Sequence, residues 1–250
     1  MNFLKSKKKR RIFIWLSVAA FVLCSCLIAC AVYLGDYYRA DAEAVSAYMP
    51  EAVSERVLDD GSLVFGEENS SIGFIFYPGG KVEHTAYVPL MREISKDGIC
   101  CVLMKMPFNL AVFDVNAADR AREALPRIER WYIGGHSLGG SMAAAYLEAH
   151  SDELSGLVLL GSYSTADISD SGLAVLSVYG SEDGVMNREK YAECVGNLPS
   201  DMREIVIEGG CHAYFGMYGA QEGDGSPSIS AAEQIAITAG EIINMIRTGE

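Results

Sequence analysis

The sequence predicts an α/β fold, a mostly parallel central sheet flanked by helices, carried behind one N-terminal transmembrane helix. Three observations point there. An uncharged run of 23 residues, Ile12 to Leu34, follows a basic N-terminus. Beyond residue 70, short apolar runs alternate with helix-forming stretches, the order expected of strands joined by crossover helices. A Gly-x-Ser-x-Gly run, Gly135 to Gly139, stands where one such strand meets a helix. The 250 residues suffice for one large α/β domain, and with 50% apolar and 21% charged residues they suit a packed core rather than a disordered chain.

Residues 1–11 form a basic segment expected in the cytoplasm, with Lys5, Lys7, Lys8, Lys9, Arg10 and Arg11 and no acidic residue before Asp36. Residues 12–34 then read as a signal-anchor helix, because at 1.5 Å rise per residue it spans roughly 35 Å, enough for a bilayer core. Its basic flank places the remainder outside the cytoplasm, as a single-pass protein of the cell membrane. Trp15 near one end and Tyr33, Tyr37 and Tyr38 near the other suit the two interfaces. The alternative is a lipoprotein, since Leu27-Ile28-Ala29-Cys30 resembles a lipobox that would be lipidated at Cys30. The apolar stretch continues past Cys30, which favours the uncleaved anchor. Of the 20 basic residues only 14 remain beyond residue 11, against 33 acidic ones, a formal charge of −19. Such a surface repels phosphates, so nucleic acid is excluded as a partner. Cys24, Cys26 and Cys30 lie in the helix. Cys100, Cys101, Cys194 and Cys211 are expected as buried or half-buried thiols, the adjacent pair pointing to opposite faces of a strand.

A helical neck is expected over 35–52, rich in Ala and closed by Pro50. The main domain, 53–250, opens on a hairpin, Val53 to Leu58 and Leu63 to Gly66, about the turn pair Asp60-Gly61. A buried strand Ile72 to Tyr77 feeds the loop Pro78-Gly79-Gly80. There follow a helix Thr85 to Lys96, a strand Ile99 to Lys105, a helix Ala117 to Leu125, a strand Arg130 to Gly134 and a helix Leu138 to His150. Strands Gly156 to Leu160 and Leu173 to Tyr179, a helix Arg188 to Val195, a strand Glu204 to Ile207 and a helix Ala231 to Ile246 complete the series. The segment between Leu160 and Leu173 is too short for a lid domain.

In Gly135-His136-Ser137-Leu138-Gly139 the serine occupies a strand-to-helix turn so tight that only small residues flank it, the setting of a nucleophile elbow. The Leu138 N–H, at the helix N-terminus, would face a developing oxyanion. A serine hydroxyl needs a base. His136 adjoins the serine and faces elsewhere, His150 lies a whole helix away, and His84 precedes the nucleophile and is a candidate for the pocket wall. His212, in Gly209-Gly210-Cys211-His212 beyond a late strand, is placed to return to Ser137. The carboxylate that orients it is Asp183, with Glu182 as second choice, in Tyr179-Gly180-Ser181-Glu182-Asp183 after an apolar strand.

With the ordered trio GHSLG, GSED and GGCH, the chain resembles, over roughly residues 53 to 248, the α/β-hydrolase superfamily, particularly its small lidless members related to dienelactone hydrolases and bacterial esterases. By that resemblance Tyr77-Pro78-Gly79-Gly80-Lys81 corresponds to the oxyanion loop, whose second donor is the N–H of Gly80 or of Lys81; Pro78 stands where many members have His. Lys81, His84, Phe108 and Phe215 are the candidate pocket residues. The expected activity is that of a serine hydrolase cleaving a carboxylic ester or related acyl bond of a small molecule, with no cofactor and no metal. The alternative is a catalytically inactive, membrane-tethered binding protein on the same scaffold.

Overall fold

The computed structural model describes residues 2–48 and 54–249, with side chains from residue 13 onward. The chain divides into two units, residues 1–37 and 38–250. The first is a single helix, α1 (Asn2–Gly35). Within it Phe13–Gly35 has a mean hydropathy of 2.5 and no buried residue, so this helix is long and apolar enough to cross a membrane.

The second unit begins at Tyr38, so residues expected as a neck belong to it. Among its described residues beyond Tyr38, Ala42–Tyr48 (α2) are helical; Pro50, expected to close the neck, lies outside the described residues, as does Val53. Tyr38 instead forms a parallel bridge with Val82.

The sheet has eight strands: β1 (Glu55–Val57), β2 (Leu63–Phe65), β3 (Ile72–Tyr77), β4 (Cys100–Leu103), β5 (Arg130–His136), β6 (Gly156–Leu160), β7 (Ala174–Gly180) and β8 (Arg203–Ile207), ordered β1-β2-β4-β3-β5-β6-β7-β8. The β1–β2 and β2–β4 pairs are antiparallel, and every other pair is parallel. The crossovers carry α3 (Val88–Ser95), α4 (Ala117–Ala124), α5 (Leu138–His150) and α6 (Arg188–Cys194), and α7 (Ala231–Thr248) closes the chain. Residues 85–87, expected in α3, belong instead to a separate 3-10 turn, His84–Tyr87, because Pro89 at the second position of α3 supplies no N–H to extend the helix backwards.

Because side chains alternate along a strand, β3 sends Phe74 and Phe76 to one face and Ile75 and Tyr77 to the other. The first face packs on α3 and α7 through Leu90, Ile94, Ile235 and Ile242. The second packs on α4 and α5 through Ala118, Ala143, Ala144 and Leu147. Cys100 and Cys101 fall into opposite cores, and each thiol is pushed up by burial. Cys211 is also buried and Cys194 half-buried, all four as free thiols. Strands covered on both faces leave their C-terminal ends as the open edge, where loops from distant parts of the sequence meet.

Candidate active site

β5 runs straight into α5 with Ser137 alone between them. Ser137 has φ 51° and ψ −122°, a conformation that non-glycine residues rarely adopt. The turn can be this sharp because a Cβ on Gly135 would lie 2.5 Å from the Gly139 carbonyl carbon and 2.6 Å from the Gly140 nitrogen. The Ser137 N–H donates to Leu160 O on β6 (2.9 Å), and the Ser162 hydroxyl donates to Ser137 O (2.7 Å). The neighbouring strand thereby pins the elbow from both sides.

Gly80 packs against this turn, with its Cβ position 2.9 Å from Leu138 Cδ2. Among the described residues, neither the Gly80 N–H nor the Leu138 N–H meets a protein acceptor. The Lys81 N–H does, donating to Asn109 O at 2.8 Å, so of the two alternatives for a second oxyanion donor Gly80 has the free N–H. Lys81 itself has φ 58° and turns the loop back toward Tyr38.

Asp183 and His212 form a buried pair. His212 Nδ1 lies 2.8 Å from Asp183 Oδ2, with the two side chains 1% and 0% exposed. The other carboxylate oxygen, Oδ1, accepts the N–H groups of Val185 (2.9 Å) and Met186 (2.8 Å), which fixes the carboxylate plane. Gly161, at φ 51°, makes room for the pair: a Cβ there would lie 2.9 Å from His212 Nδ1 and 3.1 Å from Asp183 Oδ2. Glu182, the second choice for the acid, is exposed and accepts from the Ser181 hydroxyl instead.

The ring of His136, the residue before the elbow serine, packs at 4.4 Å centroid distance on the ring of His212. Ser137 and His212 therefore belong to the same edge of the sheet. His212 Nε2 is buried and has no hydrogen-bond partner among the described residues. That leaves its second nitrogen unengaged while the first is held by the carboxylate. Catalytic hydrogen bonds commonly tighten only when substrate binds.

His136 is held from behind. Its Nδ1 lies 2.8 Å from the Tyr87 hydroxyl, which accepts the Gly79 N–H at 3.1 Å. Burial, helped by the neighbouring His212, pushes the His136 imidazole well down, so it stays neutral. The Tyr87 hydroxyl thus links the glycine loop to the strand that carries the serine.

A cleft of about 260 Å³ opens at the elbow, lined by Ser137, Leu138, Ser141, Tyr163, Val185 and Met186 among others. None of the four candidate pocket residues, Lys81, His84, Phe108 and Phe215, is among those that line this cleft. Phe108 is 60% exposed, Phe215 is fully buried against His136 at 5.5 Å, and His84 is half-buried with its imidazole pushed down first by burial and then by Lys105. The loops turn outward at 108 and inward at 215, a difference that the local sequence does not mark. Beyond the elbow itself, the wall residues Tyr163, Val185 and Met186 carry no motif and stand out in the sequence only as C-terminal extensions of strands.

Asp224, in the segment Gln221-Glu222-Gly223-Asp224-Gly225, belongs to no motif of the sequence. Its Oδ1 accepts the N–H groups of Gly184 (3.1 Å), His212 (3.1 Å) and Gly225 (2.9 Å), and Oδ2 accepts Ala213 N–H (2.8 Å). One carboxylate therefore ties the turn that follows Asp183 to the turn that carries His212. Burial raises its pKa, but the Ala213, His212 and Gly184 donors outweigh that and hold it below the ordinary carboxylate value.

A strained serine at a helix N-terminus, a buried carboxylate–imidazole pair and two free N–H groups on one sheet edge are the parts from which a hydrolase site is built. The sequence pattern of the Alpha/beta hydrolase family matches residues 73–236, and the chain belongs to that family. No protein of the curated set matches the chain. Among solved structures, the chain is similar to a predicted CIB-like hydrolase from Thermoplasma acidophilum, with 18% identity and a TM-score of 0.54 over 77% of this chain and 99% of that one. It is similar also to Est1E from Butyrivibrio proteoclasticus (13% identity, TM-score 0.55, 79% of this chain and 100% of the other). TT1662 from Thermus thermophilus gives 12% identity and a TM-score of 0.57 over 80% and 98% of the two chains. At these identities the likeness is one of fold. The family match is what supports a hydrolase.

Proposed function

We propose that the protein is a membrane-anchored serine hydrolase that cleaves a carboxylic ester or related acyl bond through an acyl-enzyme on Ser137. The observation that carries this reading is the Asp183–His212 pair, buried at 2.8 Å on the sheet edge that also holds the strained Ser137. His212 Nε2 takes the proton of the Ser137 hydroxyl as Oγ attacks the acyl carbon, and the Gly80 and Leu138 N–H groups stabilise the oxyanion that forms. The tetrahedral adduct collapses, the bond to the leaving alkoxide breaks, and His212 returns the proton to that oxygen. Water then attacks the acyl-enzyme, its proton passing to His212, and the acid departs as the proton returns to Ser137 Oγ. Asp183 stays ionised throughout and holds the imidazole in the tautomer that leaves Nε2 free to accept. The half-buried cleft of about 260 Å³ suits a short acyl group or the end of a longer one.

The anchor is α1, with residues 1–11 in the cytoplasm and the hydrolase unit on the far side; lipidation at Cys30 is the competing arrangement. Hydrolysis of a panel of p-nitrophenyl esters by the full chain in detergent tests the enzymatic part. Turnover by the wild type that disappears in Ser137→Ala supports it. Equal rates from the two proteins would favour an inactive, tethered binding protein on the same scaffold.

A further inference from the structure

Every phenylalanine of the hydrolase unit is fully buried except two. Phe65, Phe74, Phe76 and Phe215 are 0% exposed, whereas Phe108 is 60% and Phe113 58% exposed, with Val112 beside them at 51%. The two exposed rings are not strays on a loose loop. They pack edge to face, with centroids 5.9 Å apart and planes at 80°. Phe108 and Asn109 hold φ of 53° and 56°, two consecutive left-handed residues without a glycine. The segment is clasped by Asn109 N–H on Met106 O (3.1 Å) and Leu110 N–H on Pro107 O (3.0 Å). A segment so constrained, and still presenting its largest apolar groups outward, reads as a contact surface.

Its position supplies the occupant. Asn109 O accepts the Lys81 N–H at 2.8 Å, so the segment is bonded directly to the glycine loop beside Ser137. On its other side Lys81 O accepts the Tyr38 N–H at 2.7 Å, and Tyr38 O accepts the Glu83 N–H at 2.9 Å. Tyr38 is the first residue of the hydrolase unit. The chain therefore joins that unit at the rim of the candidate site, next to the exposed phenylalanines. The apolar run ends at Gly35. Three residue steps separate Gly35 from Tyr38, a reach of at most about 11 Å for any backbone conformation. If α1 spans the bilayer, chain length alone keeps this rim close to the lipid surface.

We infer that the rim formed by the glycine loop and residues 107–113 is a bilayer-docking surface, and that the substrates are acyl lipids or other amphiphilic esters presented by the anchoring membrane. The inference rests on the anchored serine-hydrolase reading above and names the substrate class of that same site. Phe108, Val112 and Phe113 enter the headgroup region, as aromatic and aliphatic side chains of interfacial proteins do. An ester lying at headgroup depth then reaches Ser137 without leaving the membrane, and the covalent steps are those already given. The acidic charge of the unit argues for a zwitterionic lipid surface as the probe.

The test uses the full chain in phosphatidylcholine vesicles, with two substrates: a long-chain fluorogenic ester embedded in the bilayer and a short, water-soluble p-nitrophenyl ester. The quantity read is the ratio of the two rates. It is compared in the wild type, in a chain carrying a 20-residue Gly/Ser spacer between Gly35 and Asp36, in Val112→Asp/Phe113→Asp, and in the combination. The expected result is a ratio at least tenfold lower in the combined variant, with each change alone contributing. An unchanged ratio overturns the inference, and so does a chain that fails to float with the vesicles. An unchanged ratio accompanied by a lower oligomeric mass of the Val112→Asp/Phe113→Asp chain overturns it in favour of a second copy of the chain. Labelling of the wild type by a fluorophosphonate in detergent separates the levels. A labelled protein with an unchanged ratio leaves the serine-hydrolase reading standing, and an unlabelled one removes both.

Discussion

At the scale of single residues, the site rests on three side chains held by different means: Ser137 by backbone strain, Asp183 by two N–H donors, and His212 by a carboxylate. Asp183→Asn keeps an acceptor for Val185 and Met186 but offers His212 an amide in place of a carboxylate. With the imidazole left in the wrong tautomer, kcat is expected to fall by about 10⁴-fold with little change in folding, measured by ester hydrolysis and thermal unfolding. Gly161→Ala acts on the same pair from outside, since its methyl would meet both His212 and Asp183 at about 3 Å on a backbone with positive φ. Activity there is expected to fall by at least tenfold, together with a lower Tm. The placement of Ser137, Asp183 and His212 is legible in the sequence, because each follows an apolar strand in a glycine-rich turn. What was not legible is the room they need. Nothing near Gly161 in the sequence marks it as the space beside His212, since that contact joins residues 51 positions apart.

The same limit appears one scale up, where loops are fastened to each other. Strands and helices of the hydrolase unit follow from alternation and apolar periodicity to within a few residues, because each is set by its own neighbours in the chain. The Asp224 clamp is not, because its four donors come from Gly184, His212, Ala213 and Gly225. Asp224→Ala leaves these N–H groups without their acceptor, and a loss of roughly 1–3 kcal/mol in stability is expected from denaturant unfolding. Activity should fall further than stability explains, because an angstrom of drift in a catalytic group costs about 10²-fold. The clamp also carries a pH signature. The folded state holds Asp224 below its ordinary pKa, so the unfolded chain binds its proton first as the pH falls. The stabilisation is complete above the unfolded value of about 3.9 and is lost as the pH drops through the lower, folded one. The stability gap between the wild type and Asp224→Asn is therefore expected to be widest near neutral pH and to close in strong acid. A gap independent of pH would contradict an ionised clamp.

For the whole molecule, composition divides the chain before any fold is considered: an N-terminus that is first basic and then uncharged and apolar, and an acidic remainder. The uncleaved-anchor proposal predicts that the mature protein retains residues 1–35 and has the unmodified mass of the full chain; cleavage before Cys30 with added acyl mass would mark the lipoprotein instead. The pocket was the least legible feature at this scale. Phe108 and Phe215 are both aromatic and both follow strands of the sheet, yet one faces solvent and the other the core, a difference fixed by how whole loops pack rather than by their composition. The central claim, that Ser137 is the group acylated, is tested most directly by mapping the adduct. The full chain is treated with a fluorophosphonate, digested, and analysed by tandem mass spectrometry. The account predicts one phosphonylated residue, Ser137, with labelling strongly slowed in His212→Ala. A phosphonate on another residue, or equal labelling of the His212→Ala protein, would contradict it.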